Sequence, residues 1–269
     1  MTTSQSTVED QWVESGRAWG ARAAEWAYLW EPYARSANAV VFDQLGVTAG
    51  VRLVDIACGS GMAIQTAAGR GADVSGLDAS EGLIAIARAR TPQADIRVGD
   101  MFALPFPDGA FDVATSFNGI WKGCEGALRE AHRVLVPGGR LGLTFWGAYD
   151  KLGLMPYFLK VVELSPPSHG AATAEQGDTG RPGVLEDMLR STGFSPLERG
   201  VVTVLNEWPD VDTAVRALTA AGPSIPAINA VGREAFAESV REVIAPLEVP
   251  GLGVRIASEF GWITAERQG

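Results

Sequence analysis

The sequence predicts an α/β fold with a doubly wound, mostly parallel sheet of seven strands, a helical N-terminal cap and a C-terminal helical insertion. Strand-like and helix-like segments alternate from about residue 51 to 146, which is typical of βαβ units. The apolar segment 51–56 runs directly into a glycine-rich turn, as it does where such folds bind ligands. With 269 residues and 46% hydrophobic content, the chain can bury one large core.

The order of elements follows from periodicity and turn residues. Between 51 and 146, apolar runs predict strands and helically spaced apolar residues predict the helices between them. The predicted strands are 51–56, 72–77, 96–98, 111–117 and 140–146, with helices at 62–69, 81–90 and 123–134. Pro137-Gly138-Gly139 is expected to close the last of these helices.

The C-terminal part predicts helices at 184–191, 211–220 and 233–244 and strands at 195–205 and 260–265. Segment 164–183 contains three prolines and four glycines and is expected to be an irregular loop. We therefore divide the chain into a cap (1–45), a ligand-binding core (46–150), a variable loop on the substrate side (151–190) and the last strands with the helical insertion (191–269).

An aromatic stripe marks the cap. Trp12, Trp19 and Trp26 recur every seven residues and are followed by Trp30 and Tyr33, which predicts one aromatic face on a helix. That helix can simply pack on the domain, or it can act as a lid over a ligand pocket. The two interpretations are compatible.

Charge and composition narrow the classes of partner. A net charge of −10 without any run of Lys or Arg argues against nucleic acid and anionic membranes. The N-terminus lacks a signal-like pattern and no apolar run is long enough to span a bilayer, so we expect a cytoplasmic protein with a small-molecule substrate. Two cysteines without a CxxC pair and two histidines predict no metal site other than carboxylate-bound Mg²⁺. The oligomeric state stays open.

The turn Asp55-x-Ala57-x-Gly59-x-Gly61 indicates a nucleoside-type cofactor. A dinucleotide fold requires a third small residue, but Ile64 stands at that position. No Ser or Thr occurs at 62–64 to help bind a diphosphate. The pattern therefore disfavours a nicotinamide dinucleotide and suits a cofactor with an amino-acid tail.

In five motifs the chain resembles the class I S-adenosylmethionine-dependent methyltransferases, especially the ubiquinone/menaquinone-methyltransferase-like subgroup. The motifs cover residues 51–146 in order. They are Asp55-Ile-Ala-Cys-Gly-Ser-Gly61, Asp78, Gly99-Asp100-Met101, Leu104-Pro-Phe-Pro-Asp-Gly-Ala-Phe-Asp112 and Arg133-Val-Leu-Val-Pro-Gly-Gly-Arg140. The resemblance implies a Rossmann-like fold and S-adenosylmethionine as cofactor.

The resemblance also implies roles for individual residues. Asp55 and the Ala57 or Cys58 carbonyl would hold the ammonium group, and Asp78 would accept hydrogen bonds from the ribose hydroxyls. Asp100 would accept from the adenine amino group. The other residues expected to contact the cofactor are Gly59, Gly61, Ala79, Leu83, Met101, Phe102, Ser116, Phe117 and Asn118.

The acceptor is not identified by any motif. We expect O-methylation of a small, partly apolar metabolite, as in natural-product biosynthesis, by in-line transfer that depends mainly on alignment. N- or C-methylation, a non-methylating S-adenosylmethionine-binding protein and a nicotinamide-dependent oxidoreductase are the alternatives. His169 is the candidate general base, whereas His132 is expected to be structural. The expected acceptor-binding residues are Trp26, Tyr33, Trp121, Trp146 and Tyr149.

Overall fold

A computed structural model describes residues 8–167 and 177–269, and it has the predicted α/β architecture. The strands are β1 (Arg52–Ile56), β2 (Asp73–Asp78), β3 (Asp95–Val98), β4 (Phe111–Phe117), β5 (Leu135–Trp146), β6 (Phe194–Trp208), β7 (Glu248–Val249) and β8 (Gly253–Arg267). The helices are α1 (Val8–Gly20), α2 (Ala23–Glu25), α3 (Arg35–Leu45), α4 (Met62–Gly69), α5 (Glu81–Arg90), α6 (Glu125–Val134), α7 (Met155–Leu164), α8 (Val184–Ser191), α9 (Val211–Leu218), α10 (Ile225–Val231) and α11 (Arg233–Ile244).

All strands belong to one sheet, ordered β3-β2-β1-β4-β5-β8-β6, with the two-residue β7 paired to β8 as an addition to the seven predicted strands. The pairs from β3 to β5 are parallel, whereas β8 pairs with β5 and β6 in antiparallel orientation. The strand order reverses between β1 and β4. In open α/β sheets this switch point is where ligands bind, at the carboxyl ends of the strands.

The central strands are buried on both faces because helices cover both sides of the sheet. Leu53, Val54 and Ile56 of β1 are at most 1% exposed, and Asp55 between them is 2% exposed. A carboxyl group at this depth requires a polar partner. The burial of Asp55 inside β1 is therefore unusual for an acidic residue.

Strand β5 begins earlier than predicted. The segment Pro137-Gly138-Gly139 does not separate a helix from a strand, because β5 starts at Leu135, directly after α6. Its pairing with β4 shifts register between Phe111 and Val113, and Gly138 has a φ of 74°. A bulge therefore absorbs the turn-forming residues inside the strand.

Strands β6 and β8 are longer than the predicted 195–205 and 260–265, since each has 15 residues. Polar residues on the exposed faces of β6 and β8 interrupt the apolar pattern from which a strand is predicted. Helices α9, α10 and α11 lie between these strands and form the predicted helical insertion. The Tyr157 hydroxyl of α7 donates to the Leu218 carbonyl at 3.1 Å, which joins α7 to the insertion.

The aromatic stripe of the cap is not on one continuous helix, contrary to the prediction. Helix α1 ends at Gly20, a π-type turn spans Trp26–Trp30, and a 3₁₀ turn with Pro32 follows at Glu31–Ala34. Trp19 and Trp26 remain together, with ring centroids 5.8 Å apart. Trp30 packs against Tyr33 and Tyr157, with ring centroids 6.0 Å and 5.7 Å apart.

Helix α1 packs against the turn after β2 through glycine. A Cβ atom at Gly16 would lie 2.1 Å from the Ala79 carbonyl oxygen, and one at Gly20 would lie 2.6 Å from the Ser80 Oγ. No real Cβ could occupy the first position, so the contact depends on the missing side chain.

We expect Gly16→Ala to detach α1 from the domain. Hydrogen exchange should show faster exchange of the amides of residues 12–20, while those of β1 and β4 keep their protection. Gly69→Ala is the matched control, because a Cβ at Gly69 has open space around it. Equal exchange in the two variants would show that the close approach does not hold the helix.

Candidate functional site

Two buried carboxyl groups lie at the switch point. Asp55 of β1 accepts a hydrogen bond from the Thr115 hydroxyl of β4 at 2.7 Å, and the two residues are register partners. Burial raises the pKa of Asp55 to about 8, opposed by the Thr115 hydrogen bond, and the negative charges of Asp78 and Glu31 raise it further. The free protein therefore holds a proton on Asp55 at neutral pH.

Asp78 lies at the end of β2. Its carboxylate connects the glycine loop (57–61), which follows β1, to the end of β2. One carboxylate oxygen accepts from the Gly59 N–H at 2.9 Å, and the other accepts from the Ser80 N–H at 2.8 Å. Burial raises the pKa of Asp78, and these N–H donors oppose the shift. The Ala79 N–H also interacts with Asp78. Since a carboxylate offers about four acceptor positions, Asp78 keeps acceptor capacity for a ligand.

The glycine loop uses left-handed backbone at three positions. Gly59 and Gly61 have φ values of 56° and 77°, and Ala57 has 58° although it carries a Cβ. Such a conformation is uncommon outside glycine. The Cys58 carbonyl accepts from the Gly61 N–H at 3.0 Å, and burial raises the pKa of the Cys58 thiol well above its usual value. That thiol stays neutral and is unsuited to act as a nucleophile.

Glu31 of the cap reaches into this loop, which the sequence did not predict. Its side chain is 7% exposed and pairs with the Arg90 guanidinium at 2.6 Å. The Ser60 hydroxyl donates to the same carboxylate oxygen, and the Met62 N–H also donates to the carboxylate. Glu31 and Arg90 are 59 residues apart in the chain, so no local spacing signals the pair.

The site has more acidic groups than basic ones. Among the described residues, neither Asp55 nor Asp78 has a cationic partner, and Arg90 is paired with Glu31. Three carboxyl groups therefore stand beside one guanidinium. Glu31 also occupies the start of α4, where a dinucleotide fold would place its diphosphate. The site suits a cationic ligand and disfavours a diphosphate.

The residues expected around the ribose and adenine only partly face an open space. Ala79 helps to line a cleft of about 460 Å³ beneath α1, which is within the usual range for ligand pockets. Leu83, by contrast, is 2% exposed in the core. The other lining residues on the domain side are Ser80, Glu81, Gly82 and Val98.

The turn after β3 is held by a hydrogen bond from its backbone to the Asp100 side chain. Asp100 accepts from the Phe102 N–H at 2.9 Å, and Met101 is half-buried. Phe102 is 42% exposed and packs against Gly126, so in this conformation it does not form the expected closed wall.

At the end of β4 the predicted residues point in different directions. Ser116 is buried, with no partner for its hydroxyl among the described residues. The Phe117 ring packs in the core against Phe42, 5.4 Å between centroids. Asn118 has a φ of 58° and accepts a long hydrogen bond from the Thr144 hydroxyl at 3.4 Å.

Tyr33 and Trp146, two of the residues expected to bind the acceptor, lie together. Their rings stack with centroids 6.2 Å apart, and each contacts Phe260, at 5.4 Å and 4.6 Å. The Tyr33 hydroxyl is hydrogen-bonded to Asn118, and burial raises its pKa, so it remains protonated. This cluster adjoins the switch point through Asn118.

The remaining candidates lie elsewhere. Trp26 covers Gly59, where an added Cβ would be 3.0 Å from the indole. Trp121 packs against the core around α6, and Tyr149 is 53% exposed. His132 contacts the Gln268 carbonyl at 3.1 Å, away from the site. His169 lies outside the described residues.

The described residues contain neither a metal-binding cluster nor a membrane-spanning helix. Within residues 8–167 and 177–269, no three or more His, Cys, Asp or Glu side chains are grouped to hold a metal ion. None of the helices in these ranges is both long and apolar enough to cross a membrane.

Comparisons with known proteins point to one family. The family described as "Methyltransferase domain" matches residues 54–143. Demethylmenaquinone methyltransferase from Renibacterium salmoninarum is 39% identical over 104 residues, 38% of this chain and 44% of that protein. The enzyme of the same name from Tropheryma whipplei is 32% identical over 167 residues, 56% of this chain and 69% of that protein.

A solved structure shares the fold. The cyclase SpnF has a TM-score of 0.55 and 23% identity, covering 87% of this chain and 82% of that chain. At this identity the likeness concerns the fold alone. The chain spans less than half the length of the first relative, from Renibacterium salmoninarum.

Proposed function

This chain belongs to the class I S-adenosylmethionine-dependent methyltransferases, in the menaquinone-methyltransferase-like group, and from that premise we propose that it methylates a small, partly apolar acceptor. The observation that carries the proposal is the pair of buried carboxyl groups, Asp55 and Asp78, without cationic partners among the described residues. S-adenosylmethionine would bring its ammonium group to Asp55 and its ribose hydroxyls to Asp78, and its sulfonium group adds a second positive charge. Its loss of the methyl group removes the sulfonium charge.

The chemistry requires alignment more than covalent catalysis. A nucleophilic atom of the acceptor attacks the methyl carbon, the carbon–sulfur bond breaks, and its electron pair stays on sulfur. Asp55, the glycine loop and Asp78 would fix the donor, and the Tyr33–Trp146 cluster would fix the acceptor. Alignment of this kind contributes roughly 7–11 kcal/mol in favourable cases.

We propose oxygen as the methylated atom and a hydroquinone-like or phenolic compound as the substrate class. The aromatic walls favour a planar apolar acceptor, and the curated relatives are named for a quinone. A phenolic acceptor ionises near neutral pH more readily than an alcohol, which reduces the need for a strong base. Carbon methylation is the alternative, and identification of the product distinguishes the two.

The test is release of S-adenosylhomocysteine with phenolic and hydroquinone acceptors, with the methylated atom assigned by mass spectrometry and NMR. We expect turnover and no binding of NAD. Tight S-adenosylmethionine binding without turnover on any acceptor would contradict methyl transfer. Binding of NAD in calorimetry would contradict the cofactor assignment.

We expect cofactor binding to release a proton from Asp55. Below pH 8 the free carboxyl group is protonated, and the ammonium of the cofactor favours the charged form. The affinity for S-adenosylmethionine should therefore rise from pH 6 to pH 8, because removing the proton from Asp55 costs less free energy at higher pH. Calorimetry at pH 7 in two buffers of different ionisation enthalpy measures the release.

Asp55→Asn is the control for this measurement, since the amino group of the cofactor titrates equally with both proteins. The variant should show a smaller proton release and a flatter pH dependence. Identical proton counts for the two proteins would exclude Asp55 as the group that titrates.

A further inference from the structure

Strand β6 forms an open edge of the sheet. In the part of the chain that the structure describes, β8 is its strand partner on one side and no strand pairs with it on the other. Proteins usually protect such an edge with proline, a bulge or lysine. The proline and the register shift of β6 lie at Pro196 and before Arg199, and pairing with β8 is uninterrupted from there to Trp208. The segment 199–207 therefore has a regular backbone that is available to another strand.

Alternate side chains of this segment form a row on the outer face of β6. Val201 is 68% exposed and Thr203 is also exposed, whereas Val204 and Asn206 on the opposite face are buried. The row consists, in order, of Arg199, Val201, Thr203, Leu205 and Glu207. It runs from a basic residue through an apolar, a hydroxyl and an apolar residue to an acidic one. Such a row is complementary to its own reverse.

An antiparallel second copy with Thr203 opposite Thr203 matches the whole row. Val201 then lies opposite Leu205 of the second copy, and Arg199 lies opposite Glu207 of the second copy. Directly opposite side chains have Cβ atoms about 4.5–5.5 Å apart, so apolar and opposite-charge pairs of this kind stabilise a sheet.

The charges select this register over its neighbours. Antiparallel pairing requires both opposite residues to be hydrogen-bonded or both not, so the next possible registers differ by two residues. One of them would place Arg199 opposite Leu205, and the other would place Glu207 opposite Val201. Each would leave a charged side chain against an apolar one.

The two charged residues already have partners in their own chain, and pairing between copies extends these contacts. Glu207 pairs with Arg255 at 2.8 Å, and Arg199 pairs with Glu186 at 2.8 Å. Contact between Arg199 and Glu207 of the second copy would join them into a network of alternating charge, which stabilises more than isolated surface pairs do. The segment 199–207 contains one Arg and one Glu, so the net charge of −10 is not concentrated at this edge.

The inner face of β6 also accommodates a second copy. Trp30 and Tyr33 of the cap stand beside the edge there, where they line a cleft of about 220 Å³ together with Asn206. The same register places Gly200 of the second copy opposite Asn206. A glycine brings no side chain against the cap.

We propose that two copies of this chain associate through antiparallel pairing of β6, with the two-fold axis at Thr203. The contact is isologous, as in most dimers, and it joins the two sheets into one. The edge lies three strands from β4. The inference therefore does not depend on the reaction proposed for the cofactor site.

The test is sedimentation velocity over a range of protein concentrations. The natural protein should form a dimer. Thr203→Lys and Thr203→Glu should each weaken association by about ten- to hundredfold, because like charges would face each other across the axis. An equimolar mixture of the two variants should restore the dimer, since Lys then lies opposite Glu.

Gln65→Lys is the control for added charge, because Gln65 is exposed on α4, which packs on β1 and β2. It should dimerise like the natural protein. All variants should keep the urea midpoint, since they change exposed side chains. A natural protein that stays monomeric, a dimer that Thr203→Lys leaves intact, or a mixture that stays monomeric would each overturn the proposal.

Cysteine cross-linking tests the register separately. With oxidised glutathione, Thr203→Cys should form a disulfide-linked dimer, because opposite Cβ atoms approach the distance that a disulfide requires. Val201→Cys alone should not, but its mixture with Leu205→Cys should. The natural Cys58 and Cys124 are buried and provide no competing link. Efficient cross-linking of Val201→Cys alone, without that of Thr203→Cys, would reject the axis at Thr203.

Discussion

Replacing Asp78 with alanine is expected to weaken S-adenosylmethionine binding by roughly 10²- to 10⁴-fold. Two charged hydrogen bonds to the ribose hydroxyls account for this, at about 1.5–3 kcal/mol each. Calorimetric titration measures the loss. Asp95→Asn is the control, because Asp95 is an exposed carboxylate at the start of β3, paired with Arg97, and its loss should leave the affinity unchanged.

The same carboxylate also holds the Gly59 N–H, so a loss of affinity has two possible origins. A cofactor analogue that lacks one ribose hydroxyl separates them through a double-mutant cycle. With the natural protein the analogue should bind more weakly than the cofactor. With Asp78→Ala the two should bind equally. A full analogue penalty that persists in Asp78→Ala would mean that Asp78 only positions the loop.

Glu31→Ala is expected to lower the free energy of unfolding by about 3–5 kcal/mol, which is the usual cost of removing one partner from a buried ion pair. The Arg90 side chain, 16% exposed, would lose its carboxylate while remaining largely desolvated. Its other partners are backbone carbonyls of Ala27 and Ser60 and the Ser60 hydroxyl. Urea denaturation provides the measurement.

Two variants calibrate this result. Glu25→Ala removes a carboxylate that is 24% exposed and paired with Arg22 and Arg216, and should cost at most about 1 kcal/mol. Glu31→Leu combined with Arg90→Leu should cost less than the sum of the two single changes. If Glu31→Ala is no more destabilising than Glu25→Ala, the Glu31–Arg90 ion pair does not stabilise the packing of the cap on the domain.

The cofactor-binding residues could be predicted from the sequence, because the end of a strand can be recognised from the residues around it. Asp55 and Asp78 each belong to an apolar strand with a turn close behind it, and parallel strands bring their carboxyl ends to one edge. The resemblance to a known family then assigned their roles. Even here the side chains differ from expectation, since Phe117 faces the core and Phe102 is exposed.

The acceptor side could not be derived in the same way. Glu31 meets Arg90, and Tyr33 meets Trp146, only after the cap folds onto the domain. A seven-residue aromatic repeat predicts a continuous helix, and the break after Gly20 and the turns around Pro32 redirect its second half.

The position of residues 26–33 on the cap has a kinetic consequence. This one segment covers the glycine loop through Trp26 and Glu31 and also supplies Tyr33 to the aromatic cluster with Trp146. Displacing it to admit the donor would also dismantle the wall that we propose for the acceptor. Substrates are therefore expected to bind in a compulsory order, donor first, and the demethylated donor to leave last.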